Sequence, residues 1–236
     1  MVPTLAFLVV FPVLIFLGLW QLDRADEKRL IETNVNAAVN KAPLLLNDSV
    51  GVDLKAEVYR PARIVGRYDT ERQYLWDNKT HLGRAGYHVL TPFLIDGEQS
   101  KAVLVNRGWV PILGRRDQLP DITFDERERT KTTISGIIKD PSNAIQLADR
   151  LDQKDADFPH VFQAFEPKVF ASELGLDLLP IMVELAPNEK YGYVRDWKPY
   201  FGKIEKHNGY ALQWFLMALI TLFLYIKLNT KQVKLV

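Results

Sequence analysis

Apolar residues are concentrated in two uncharged runs near the ends of the chain, and between them they alternate with polar residues in short bursts. Val2 to Leu22 carries no charge, and at about 1.5 Å per helical residue it matches the roughly 30 Å thickness of a hydrocarbon core. Pro12 lies in its middle, where a membrane helix tolerates a kink that a soluble helix does not. Gly209 to Ile226 is a second uncharged run, extended outward by the amphipathic stretch Lys203 to Asn208. After the first run, Leu30, Ile31, Val35, Ala38 and Val39 recur at near-helical spacing, which predicts a helical extension that Pro43 ends.

The middle of the chain has a different period. Val58 to Tyr68, Gln73 to Trp76, Tyr87 to Ile95, Ala102 to Val110 and Thr132 to Ile138 are short β-branched and aromatic runs bounded by turn residues, and Asp96-Gly97 reads as a hairpin turn. Glu166 to Leu174 predicts one helix ended near Gly175 and preceded by a loop at Pro159. Ile181 to Leu185 predicts a late strand, and Asp140 to Asp157 a long polar loop. No internal repeat is present. The expected layout is a transmembrane helix over 2–22, a juxtamembrane helical extension over 23–42, a β-rich domain over 43–206, a second transmembrane helix over 207–226 and a basic tail over 227–236. The fold class is a membrane protein of α+β type: two transmembrane helices flank an extracytoplasmic antiparallel β-sheet or barrel-like domain with one or two short helices.

Charge sets the orientation. Lys227, Lys231 and Lys234 follow the second run with no acidic residue among them, whereas Asp23 to Arg29 mixes both signs. By the positive-inside rule both termini are cytoplasmic and the central domain is periplasmic, or the protein lies in the mitochondrial inner membrane if eukaryotic. A cleaved signal peptide would need a basic start, a shorter apolar core and a small-residue cleavage site, and Leu19-Trp20-Gln21-Leu22 leads instead into a polar helix former. The first run is therefore expected to remain as an anchor. A net charge of +1, from 30 basic and 29 acidic residues, offers no field for nucleic acid. With no cysteine there is no disulfide, redox motif, covalent haem attachment or thiolate metal site.

Candidate chemistry is sparse. His81, His88, His160 and His207 show no helical metal-site spacing, and no catalytic motif appears, so no enzyme is expected. Asp77, His81 and His88 are close enough in sequence to build an acid-base or metal site across a hairpin, but equally read as solvated turn residues. Asn47 and Asn78 match the glycosylation acceptor pattern by chance-level matches. The polar and aromatic residues at the outer ends of the two runs carry more information. Trp20, Gln21 and Arg24 close the first, while His207, Tyr210, Gln213 and Trp214 open the second, all in one leaflet. An interfacial aromatic belt explains Trp20, Tyr210 and Trp214. It explains Gln213 and His207 less well, because an amide inside an apolar run calls for a partner helix and an interfacial imidazole offers nitrogen to iron. Ligand site and belt with helix contact both remain open from these residues.

Five ordered blocks resemble the Surfeit-locus-one family of cytochrome oxidase assembly proteins. They are Leu17-Gly18-Leu19-Trp20-Gln21-Leu22-Asp23-Arg24, Arg63-Ile64-Val65-Gly66-Arg67-Tyr68, Gly86-Tyr87-His88-Val89-Leu90-Thr91-Pro92, Val105-Asn106-Arg107-Gly108-Trp109-Val110-Pro111 and His207-Asn208-Gly209-Tyr210-Ala211-Leu212-Gln213-Trp214-Phe215. The resemblance implies a biogenesis factor for haem-copper oxidases that binds haem a, with the cytochrome c oxidase catalytic subunit, the lipid bilayer and the haem a biosynthetic machinery as partners. It implies His207 as the haem iron ligand, with Trp20, Gln21, Arg24, Tyr210, Gln213 and Trp214 lining the cofactor or the subunit contact. Arg24 suits a propionate at headgroup depth. Asn106, Arg107, Gly108 and Trp109 match the family signature, and their residue types suit a strand-end turn. A protein-only scaffold on the oxidase is the rival reading, and an extracytoplasmic enzyme the third.

Overall fold

A computed structural model describes residues 2–97, 100–114, 118–123, 130–141, 158–197 and 203–230. Two compact units emerge, one formed by Met1–Asn36 with Pro199–Val236 and the other by Ala37–Lys198. Most of the polar loop expected over Asp140 to Asp157 lies outside the described residues.

The second unit is built on strands β1 (Leu44–Leu45), β2 (Pro61–Tyr68), β3 (Tyr74–His81), β4 (Arg84–Ile95), β5 (Lys101–Pro111), β6 (Thr132–Lys139), β7 (His160–Phe162) and β8 (Asp177–Leu185), with helix α2 (Pro167–Leu174) between the last two. Their order in the sheet is β1-β2-β6-β8-β5-β4-β3-β7, and β2 also pairs with β4. The second pairing joins Gly66, Arg67 and Tyr68 to Ile95, Leu94 and Phe93. Five strands, β2, β6, β8, β5 and β4, therefore close into a barrel, which removes their open edges.

Gly66 is the residue at which β2 exchanges partners, since it opposes Thr132 of β6 and Ile95 of β4. A Cβ there would lie 2.0 Å from the carbonyl oxygen of Leu94, so only glycine admits this approach. The barrel-like domain is present, but its pairing is not wholly antiparallel: β1 with β2, β3 with β7 and β5 with β8 run parallel. Parallel neighbours need crossover connections, and hairpin signals are blind to them. The three-residue β7 occupies the region expected to be a loop, because a strand so short has no readable alternation.

Ile64, Phe93, Val103, Val105, Ile134, Ile181 and Val183 fill the barrel interior. The opposite faces of β3, β4, β5 and β8 send Tyr74, Leu90, Leu104 and Met182 into a second cluster with Phe162 and with Phe170 and Leu174 of α2. β5 is buried on both faces, which accounts for its unbroken Ala102-Val103-Leu104-Val105 run. Each such side chain contributes about 2 kcal/mol of transfer free energy. α2 begins at Pro167 and ends on Gly175 in the left-handed region (φ 63°), near the expected bounds. Its Glu173 receives the Tyr74 hydroxyl at 3.1 Å and lies 2.5 Å from His160 Nδ1, tying helix to sheet.

The first unit is a helical pair. α1 (Val2–Val39) includes Pro12 and runs unbroken through the expected extension, so at about 57 Å it far exceeds a bilayer core. α3 (Ile204–Asn229) begins before the second uncharged run. Both are long and apolar enough to cross a membrane. Their contacts are antiparallel: Phe7 stacks on Tyr225 at 4.2 Å, and a Cβ on Gly18 would meet the Phe215 ring at 2.5 Å. Gly18, Gln21 and Ala25 share one face of α1, and the buried Ala211 and Ala218 share one face of α3. Small residues let two helices approach where lipid supplies no hydrophobic drive.

Candidate functional site

Within the helical pair, His207 Nδ1 lies 2.8 Å from the side-chain carbonyl oxygen of Gln21. A carbonyl oxygen only accepts, so with the amide in this orientation Nδ1 donates and a neutral ring keeps its lone pair on Nε2. His207 is half-buried, and among the described residues Nε2 makes no hydrogen bond. One turn on, Tyr210 is exposed, and Trp214 is half-buried on the same face. Trp20 is exposed, and the Arg24 guanidinium lies 5.7 Å from its ring while pairing with Glu27 at 2.7 Å. Arg29 reaches Asn208 at 3.4 Å, a further polar link between the two helices.

Gln213 departs from the expected grouping. It is exposed, about a third of a turn or more from the Ala211 and Ala218 face, and it makes no hydrogen bond to α1 among the described residues. The amide that bridges the helices belongs to Gln21, which is buried. A lone apolar run shows that an amide needs a partner, but not which side of the helix carries it.

In the barrel domain, the Asp77, His81 and His88 trio does not assemble into one centre, and no group of three metal-ligating side chains forms among the described residues. His81 packs 5.3 Å from the Trp109 ring. Asp77 is buried, and its Oδ1 accepts from the Asn78 amide at 2.7 Å. His88 opposes Trp76 across β3 and β4, lies edge-on to Trp197 at 5.5 Å, and its Nδ1 is 3.0 Å from Asn106 Nδ2. Asn47, one of the two glycosylation-pattern residues, spends its side chain on the sheet: it donates to Val65 O and Asp96 O and accepts from Val65 N.

Burial, followed by the charge of Lys79, pushes the His88 imidazole down to about 3. Lys79 stands over the Trp76 ring at 3.3 Å, and burial pushes its amine down to about 8. Because unfolded histidine takes a proton below about pH 6.5 while folded His88 refuses one until about pH 3, the unfolded chain binds more protons throughout that window. Stability therefore falls as pH drops through it, by at most about 1.4 kcal/mol per pH unit from this group. Denaturation midpoints of the full chain in detergent, measured from pH 7 to pH 4, are expected to fall more steeply for wild type than for His88→Gln.

The Asn106-Arg107-Gly108-Trp109 segment has a structural task that spacing alone did not reveal. Arg107 is buried, and its Nε donates to Tyr191 O at 2.7 Å while Nη1 donates to Gln73 Oε1 at 2.9 Å. The rings of Tyr193 and Tyr68 stand 5.0 and 5.6 Å from the guanidinium. Arg107 O accepts from Tyr193 N, and Trp109 exchanges backbone hydrogen bonds with Val194. Gly108 has φ 120°, and a Cβ on it would fall 2.7 Å from Val194 O. Arg107, Gly108 and Trp109 together clamp a strap, residues 191–195.

Comparison with known proteins agrees with this architecture. A "SURF1-like protein" of Rickettsia felis is 26% identical over 94% of each chain, and one of Caenorhabditis elegans is 21% identical over 93% of this chain and 72% of its own length. "Surfeit locus protein 1" of Arabidopsis thaliana is 31% identical over 54% of this chain and 38% of its own. The family model covers most of α1, the barrel domain and the first part of α3. With residues 8–219 matched, the chain belongs to the SURF1 family, a family of non-catalytic cytochrome oxidase assembly factors.

Proposed function

We propose that this protein handles haem a during assembly of cytochrome c oxidase, holding it non-covalently and aiding its insertion or retention in the catalytic subunit. One observation carries the reading: His207, in the first turn of α3, has its Nδ1 2.8 Å from Gln21 Oε1 and no hydrogen bond at Nε2 among the described residues. The surrounding side chains fit a porphyrin. Trp20, Tyr210 and Trp214 offer aromatic surface, and Arg24 offers a guanidinium that would leave Glu27 for a propionate. Bound haem a supplies an iron that accepts an axial nitrogen and two propionates that accept hydrogen bonds. The chain's own residues would ligate, flank and anchor it.

The basic residues Lys227, Lys231 and Lys234 support cytoplasmic termini and an extracytoplasmic barrel. The oxidase catalytic subunit and the enzymes that make haem a are the partners this role requires. Protein purified from membranes that make haem a is expected to carry a haem spectrum that His207→Ala abolishes or shifts. Haem-free protein, or a spectrum indifferent to that substitution, would count against the ligand role.

A protein-only scaffold is the second reading, favoured by one feature. Gln213 is exposed, away from α1, where another helix with a hydrogen-bonding side chain would relieve it. That reading expects co-purification with the oxidase that survives depletion of haem a and is lost in Gln213→Leu.

A further inference from the structure

We propose that Gln21 is a positioning residue, whose side-chain carbonyl holds His207 in its Nδ1–H form and so presents Nε2 as the single ligand nitrogen. The inference rests on the reading of His207 as an iron ligand. Its physical content, the tautomer, is a property of the protein with nothing bound.

A neutral imidazole carries one proton on either ring nitrogen, and in water the two forms exchange freely. Only the nitrogen without the proton can ligate a metal. The 2.8 Å contact between His207 Nδ1 and Gln21 Oε1 selects the form with Nε2 open. Gln21 is itself buried, held on the face of α1 that also carries Gly18 and Ala25, so its amide is fixed to a surface of packed helix rather than to a loop. The near approach of the two helices at Gly18, where the Phe215 ring fills the place of a side chain, sets the separation at which a glutamine on one helix reaches a histidine on the other. Glutamine suits this task in the membrane better than the carboxylate common behind metal-bound histidines, because it accepts the hydrogen bond without bringing a charge into the apolar layer.

The opposite orientation of the same amide makes the idea testable. Turned over, the Gln21 NH2 would donate to Nδ1 and leave the proton on Nε2, so that Nε2 could not ligate iron and the Nδ1 lone pair would be taken up by the amide. Nitrogen-15 spectra of haem-free full-length protein in detergent, labelled at histidine and assigned by His207→Ala, report which ring nitrogen carries the proton. His207 is expected as the Nδ1–H form in wild type and in Gln21→Glu, and shifted toward the Nε2–H form, which a free neutral histidine side chain favours, in Gln21→Met. An Nε2–H signal in wild type, or an unchanged signal in Gln21→Met, overturns the proposal whether or not haem binds. Titration of the same variants with haem, followed by its visible spectrum, is expected to show a 10- to 100-fold weaker association for Gln21→Met, with Gln21→Glu retaining ligation. If the tautomer behaves as stated but no variant binds haem, the positioning stands and the ligand role under the proposed function fails.

Discussion

Replacing Gly66 with valine is expected to leave the barrel unable to close. The added Cβ would sit 2.0 Å from a backbone oxygen and 2.7 Å from the Phe93 ring, and a backbone oxygen cannot swing aside as the end of a flexible side chain can. Relief requires separating β2 from β4 along Gly66, Arg67 and Tyr68, which also exposes the Tyr68 and Phe93 pair, now edge-on at 4.9 Å. The cost is about 4 kcal/mol or more, at the upper end of what single substitutions do. Denaturant unfolding of the full chain in detergent, or resistance of the domain to protease, is the measurement. Gly97→Ala is the control: φ there is 91°, yet no atom lies within 4 Å of the new Cβ, so only backbone strain of about 1 kcal/mol is expected. Equal losses at the two positions would mean that close approach is not what Gly66 provides.

The second large effect belongs to Arg107. Arg107→Met keeps much of the apolar stem and removes the fork that reaches Tyr191 O and Gln73 Oε1 in opposite directions. Gln73 Oε1 keeps the Thr91 hydroxyl, while Tyr191 O loses its guanidinium donor and Tyr193 and Tyr68 lose their cation, so a loss of about 2–3 kcal/mol is expected. Arg107→Lys should recover little of it, because one ammonium cannot serve two acceptors with the geometry of a planar guanidinium. The loss should be local as well as global. Residues 191–195 are held by Arg107 and by the backbone exchange of Trp109 with Val194, so proteolysis within that strap should precede unfolding of the barrel. A variant that unfolds in one step, with the strap no more sensitive than in wild type, would show that the clamp is not independent.

Much of the architecture is legible in the residues themselves, for reasons that differ from element to element. The two long helices follow from length: an uncharged run that matches a bilayer has few other uses. β4 and β5 follow from composition, and α2 from a proline start, a glycine stop and the Phe170 and Leu174 spacing. What does not follow is partnership. Nothing local tells β2 to pair with β6 on one side and β4 on the other, or β8 to lie parallel to β5, because those choices are made by closure of the whole sheet. The same limit governs the site. Trp20, Gln21, His207 and Tyr210 can be assigned to one leaflet by counting along each run. Choosing Gln21 rather than Gln213 as the cross-helix amide requires the rotation of α3, which small residues at Ala211 and Ala218 set by packing. Arg107 was visible as a motif, yet its acceptors lie 34 and 84 residues away, beyond any spacing rule.

The sheet terminates in strands of two and three residues, Leu44–Leu45 and His160–Phe162. Runs so short present few unsatisfied amides to a visiting chain, so recruitment by strand addition is disfavoured. For a protein confined to a plane, where neighbours of its own kind collide often, that geometry guards against template-driven clumping. Recognition through side chains is correspondingly favoured, and point substitutions on the outer surface are then able to abolish it without disturbing the backbone.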